Sequence, residues 1–191
     1  DLLCAVPRSD THLSAELSVD HGVRVASVTV NEGAGVALGG LDLDGGFDLG
    51  AVAFAAQLTG LAEAMLDMSV RYAGQREQFG VPIGSFQAIK HQLADVYVAN
   101  SFAAPVVARA AWSVATDAPT RSRDASHAKY AATVAAQRAA RTALQVHAGI
   151  GYTFEHDLHM WMKRTWTLSS LWGTKEWHKA RVASAILGGQ Q

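Results

Sequence analysis

The chain has 191 residues, of which 49% are hydrophobic and 17% charged, and a formal net charge of −1. This composition can bury enough apolar surface to fold, and the near-neutral charge leaves no electrostatic footprint for nucleic acid. The single Cys4 excludes an internal disulfide framework and suits a reducing cytoplasm.

Residues 1–40 have a two-residue apolar period. Residues 2–7, 12–19 and 23–30 are predicted strands, separated by turns at Arg8-Ser9-Asp10 and Asp20-His21-Gly22, and residues 36–38 are a fourth candidate. Four short strands without a covering layer make a poor core of their own, so they are expected to be part of a larger β domain, here residues 1–45. Asp1 opens the chain without a basic stretch, so no export signal is expected, and a start at Met would lie upstream.

After Gly45-Gly46 the period becomes 3.6. Helices are predicted over residues 49–75; 86–116, capped by Ser85 and kinked or broken at Pro105; 124–147, ending at Gly149; 156–170; and 174–187, stopping at Gly188-Gly189. The longest uncharged run, residues 49–62, is 14 residues, short of the roughly 18 of a membrane span. The fold class expected is mainly α: an antiparallel bundle over residues 46–191, preceded by a small β segment.

Three motifs sit at the joints of this bundle. Arg76-Glu77-Gln78-Phe79-Gly80 offers a fixed cation, an amide, an aromatic face and a turn; Arg can grip a phosphate in a fork and Phe can stack on a planar ring. By itself it reads more simply as a helix end whose Arg offsets the dipole. Gln145-Val146-His147-Ala148-Gly149-Ile150-Gly151-Tyr152 offers an amide and a backbone open to close approach, or merely a Gly-terminated helix. Leu171-Trp172-Gly173-Thr174 is a helix break with Thr174 as N-cap, where an anion can sit or a plain turn can stand. The eight histidines are scattered without metal-ligand spacing; His156 and His159 share a helix face, and no metal site is expected. Of five tryptophans, four lie between Trp161 and Trp177 and are expected in cores or at a subunit interface.

Taken together, the motifs resemble the acyl-CoA dehydrogenases over residues 49–187. Arg76-Glu77-Gln78-Phe79-Gly80 with Gln87, and Gln145 through Tyr152-Thr153-Phe154-Glu155-His156-Asp157, carry the resemblance. It implies FAD, an acyl-CoA substrate desaturated between its α and β carbons, and a flavin at a subunit interface. Arg76, Gln78, Phe79, Gln87, Gln145 and Gly149 would hold a neighbouring subunit's FAD, and Thr174 would lie near the chain's own. The family's N-terminal helical domain and the start of its β domain have no counterpart in this sequence. Departures are specific. Trp172 stands where many members place a catalytic Glu; Gly50 and Ala51 stand where others place the base and a following Arg; Glu176 replaces a Gln. No catalytic residue is therefore expected, with Asp48 as a weak candidate for a displaced base. The pattern is similar to the base-less subunit of the heteromeric α2β2 enzymes of actinobacterial steroid catabolism. That implies a second, catalytic subunit as partner, against a homo-oligomer or a purely structural subunit without flavin, and a cytoplasmic location without membrane or nucleic-acid partners.

Overall fold

The first long helix, α1 (Leu43–Gln75), starts six residues before the predicted position because Asp42 caps it: its Oδ1 accepts the Gly45 amide at 2.9 Å. Gly45-Gly46 thus lie inside the first turn, and the expected boundary between the β segment and the bundle falls within the helix. The computed structural model describes residues 3–188; Leu2, at the head of the first predicted strand, and Gly189, at the predicted stop, lie outside them.

Ahead of α1, β1 (Leu3–Ala5) pairs antiparallel with β4 (Val36–Leu38), and β2 (Thr11–Glu16) with β3 (Val25–Val30), in register from Thr11↔Val30 to Glu16↔Val25. These are two separate ribbons. Leu13, Val25, Val28 and Val30 stay exposed on the second ribbon. Asp20, in the β2–β3 connection, ties it to the bundle through an ion pair with Arg164.

After α1 come a hairpin of β5 (Glu77–Gln78) and β6 (Val81–Pro82), then α2 (Gln87–Ala115), α3 (Arg121–His147), α4 (Leu158–Ser170) and α5 (Lys175–Leu187). Contacts fix their directions. Asp48 meets Ser122 while Tyr72 meets His147, so α1 and α3 run parallel. Ser113 meets Asp124 and Asp95 meets Arg138, so α2 runs against both. α4 and α5 run against α3, through Lys129 to Leu168 and Arg181 to Ser126. The predicted antiparallel bundle is therefore present.

Its core is alanine-rich on α3: Ala125, Ala128, Ala132, Ala136, Ala139, Ala140 and Ala143 are buried against Leu58, Met65, Val96 and Leu158. Small residues at this spacing let α1 and α2 approach closely, so an added side chain on that face overpacks the site and costs ~1–3 kcal/mol. Truncating Leu58 or Met65 to Ala, both fully buried, costs ~2–5 kcal/mol through the cavity left. By length and composition α1 could cross a membrane, but it is the core helix of this bundle.

Three predicted details differ. Ser85 is not a cap: its hydroxyl donates to the Pro82 carbonyl at 2.7 Å, closing a 3-10 turn, and Phe86 stands at the helix entry. α2 runs through Pro105 without a break; Ser101 and Pro105 are both on the exposed side, where water can satisfy the carbonyl freed by the missing N–H. The left-handed residue ending α3 is Ala148 (φ 52°), not Gly149, and a 3-10 turn follows over Ala148–Tyr152. The five tryptophans, 36–54% exposed, line the bundle's surface instead of filling its core.

Candidate functional site

Six of the seven residues expected to hold cofactor converge on one end of the bundle. α1 and α3 both finish there and α2 begins there. The ends are pinned together by an aromatic cluster around buried His147: the Tyr72 ring stacks on it at 4.5 Å, and His156 lies 4.6 Å away. His147 Nδ1–H donates to the Ala143 carbonyl at 2.8 Å, and burial pushes its pKa down. Above the stack, the backbone of Arg76 is held from both sides, its N–H on Tyr72 and its carbonyl on the Ile83 N–H, both at 2.8 Å.

The β5–β6 hairpin closes through the two residues Phe79 and Gly80, both at positive φ (54° and 79°). Two-residue hairpin loops favour such angles, but Gly or Asn normally supplies them. Phe79 is both strained and 94% exposed, a combination the fold itself does not use. Arg76, Gln78, Gln87, Gln145 and Gly149 are exposed as well. Among the described residues Arg76 has no ion-pair partner. A Cβ added at Gly149 would meet nothing within 4 Å, so its backbone is open. A free guanidinium, three amides, an exposed ring and bare backbone suit a dinucleotide's pyrophosphate and planar base. The residues present fit FAD.

Thr174 lies apart from these, at the α4–α5 break, where it caps α5 by accepting the Trp177 amide at 3.3 Å. Trp172 (φ 56°) and Gly173 (φ 91°) make the break. Lys129, fully buried on α3, donates to the carbonyls of Leu168 (2.9 Å), Ser169 (3.4 Å) and Gly173 (3.3 Å). Burial pushes its ammonium down to about 8, while the three carbonyls and the C-terminus of α4 favour the charged form. His178, also buried, is pushed down to about 4 by burial, and its Nε2–H donates to the Trp172 carbonyl at 2.8 Å.

The two expected base positions touch. The Trp172 indole lies on the α1 backbone at Gly50. Asp48 is on α1 too, but two residues away on a helix turns its side chain elsewhere. It is fully buried and held by Arg181 at 2.6 Å and by the Ser122 hydroxyl at 2.6 Å, with Arg121 at 3.8 Å. Both carboxylate oxygens are engaged. Ala51 is buried, and Glu176 is exposed beside Lys175.

Sequence reasoning passed over Lys129, His178 and the Asp48–Arg181 pair. Lys129 did leave a signal: it shares α3's alanine face with Ala125, Ala132 and Ala136, where a charge requires partners. A cavity of about 560 Å³ between the β2–β3 connection, α1 and α4, lined among others by His21, Gln57, Leu61, Trp161 and Arg164, was not foreseen either.

The model of the acyl-CoA dehydrogenase C-terminal domain matches residues 39–187. The chain belongs to the acyl-CoA dehydrogenase family. It is 40% identical over 169 residues to acyl-CoA dehydrogenase IpdE2 of Mycolicibacterium smegmatis, covering 88% of this chain and 51% of that protein. It is 46% identical over 117 residues to IpdE2 of Mycobacterium tuberculosis, covering 61% and 35%. The chain thus spans about half or less of these relatives. Among solved structures it is similar to the ChsE4-ChsE5 complex of Mycobacterium tuberculosis, with TM-score 0.87 and 27% identity over 100% of this chain and 55% of that one. It is also similar to butyryl-CoA dehydrogenase of Megasphaera elsdenii, with TM-score 0.84 and 28% identity over 93% and 49%.

Proposed function

We propose that this chain is a subunit of an FAD-dependent acyl-CoA dehydrogenase that lends flavin-holding residues to a neighbouring subunit and has no catalytic base of its own. The observation that carries the reading is the state of Asp48. It is the candidate for a displaced base, two residues before Gly50, and it is spent on Arg181 and Ser122. A general base needs a free acceptor within hydrogen-bond reach of the substrate proton.

FAD, when bound, would accept the hydride that leaves the β carbon of an acyl-CoA. This chain's residues would orient it. Arg76 would offset pyrophosphate charge, Phe79 would cover a planar ring, Gln78, Gln87 and Gln145 would supply donors and acceptors, and Gly149 would admit the cofactor to the backbone. The α proton would go to a carboxylate on a second, catalytic subunit. Similarity to ChsE4-ChsE5, a complex of two named proteins, supports a heteromeric assembly. The resemblance to heteromeric enzymes of actinobacterial steroid catabolism supports a steroid-derived acyl-CoA as substrate class, and the single Cys4 supports a cytoplasmic location.

The test is flavin content of the full-length protein purified with its co-isolating subunit. Arg76→Ala removes a charge-assisted phosphate contact of ~1.5–3 kcal/mol, so flavin retention should fall about tenfold or more. Unchanged retention would overturn the flavin role and favour a purely assembling subunit.

A further inference from the structure

Gly50 lies in the second turn of α1, flush against Trp172. A Cβ built there would stand 2.6 Å from Cδ2 and Cε3 of the indole and 2.7 Å from Cε2, all ring atoms with no flexible end to yield. A helix interior favours alanine over glycine, so it is the indole that requires glycine at this point. The residue that carries the indole is anchored through its main chain. Its backbone sits at φ 56°, and its carbonyl is held by His178 at 2.8 Å. The next carbonyl, of Gly173, is held by buried Lys129 at 3.3 Å. A Cβ on Gly173 would stand 2.7 Å from His178 Nε2, so this second glycine is what lets the imidazole reach the break. Phe47 and Phe54 flank the indole, with ring centroids at 5.6 and 6.3 Å.

We propose that Gly50 and Trp172 form one interlocked plug, held by His178 and Lys129, that closes this chain's own acyl-thioester site. The two missing carboxylates are then a single coupled feature. A side chain at position 50 needs the indole gone, and a smaller residue at 172 leaves an apolar slot over bare backbone. The identity of the excluded ligand rests on the functional reading above; the interlock does not.

A double-substitution cycle on the full-length protein, read by thermal unfolding, tests the interlock. In the wild-type background Gly50→Ala should lower Tm by about 2–8 °C, the scale of overpacking in a domain of this size. In a Trp172→Ala background, which keeps a side chain at the strained φ, the same change should raise Tm by about 1–4 °C, because alanine then only stiffens the helix. The sign change is the signature; the same sign in both backgrounds overturns the proposal. If Trp172→Ala does not fold, Trp172→Leu replaces it in the cycle. Equilibrium dialysis with butyryl-CoA tests the exclusion: Trp172→Ala should gain one bound equivalent per copy of this chain over wild type, and an unchanged stoichiometry overturns it. Absence of flavin from the assembly would defeat the functional reading, yet leave the sign of the Tm cycle untouched, so the two failures are distinguishable.

Discussion

Where α1 and α3 end, Arg76, Phe79, Gln145 and Gly149 stand in solvent on a backbone fixed by the aromatic stack of Tyr72 on His147. Where α4 breaks into α5, the polar groups are turned inward: Lys129 and His178 are spent on carbonyls of the break, and the indole rests on Gly50. Both regions carry residues in costly left-handed conformations, Phe79 and Ala148 in one and Trp172 in the other. In the first, strain projects groups outward, as a binding surface needs. In the second, it packs a side chain against the protein's own backbone. On the proposed function, the first region is a site kept for the flavin and the second a site that is closed, and the two are held by separate sets of contacts.

The comparison breaks most visibly if Asp48 is catalytic. Asp48→Ala should cost about 3 kcal/mol of stability, since it strands Arg181 and Ser122 beside an emptied, fully buried position. The kcat of folded assembly should barely move; a loss of about a hundredfold, the scale of a general base, would make Asp48 the base. A pH series distinguishes the regions next. The His178 imidazole is held down to about 4 by burial, against an ordinary 6.5. Between those values the unfolded chain binds a proton that the native chain does not. Stability is therefore full above pH 6.5 and lost as pH falls toward 4, by on the order of 2–3 kcal/mol. Urea titrations at pH 7 and 4.5 should show the loss, and His178→Gln should shrink it. His147, lowered in the same direction at the opposite end, contributes to the slope that remains.

Gly149→Ala sharpens the contrast from the open side. Its Cβ meets no protein atom within 4 Å, so Tm should stay within a degree or two, while flavin retention falls about tenfold (~1.4 kcal/mol) if cofactor lies against that backbone. A stable variant with full flavin would show that the surface is unused. The smallest effect is expected from Ala148→Gly. Relieving a non-glycine residue at φ 52° should raise stability by ~0.5–1 kcal/mol in chemical unfolding, and no gain would mean that the turn relaxes in solution.

Much of the bundle was legible because helices are written in local spacing. Apolar residues at 3.6 per turn placed all five, and Thr174 was recognisable as a cap from its position after Gly173. Boundaries erred where a cap competed with a glycine pair, as with Asp42 and Gly45-Gly46, or where a serine had a nearer acceptor, as with Ser85 and Pro82. The flavin-end residues were legible as motifs because each motif is contiguous in the chain. The closed state of the break was only half visible: the absence of carboxylates at Trp172 and Gly50 can be read from residue identity, but their contact cannot.

The sequence by itself determined the helices, the ribbons ahead of them, the residues offered at each joint and the lack of a proton acceptor at the two expected positions. All of these depend on residue identity and on neighbours within a few positions. Only the tertiary structure decided that Asp48 is neutralised by Arg181, 133 positions away, that Lys129 grips the break, and that an indole occupies the notch at Gly50. Those outcomes depend on how whole helices dock, and docking is set by the summed shape of the alanine-lined core and not by any local pattern.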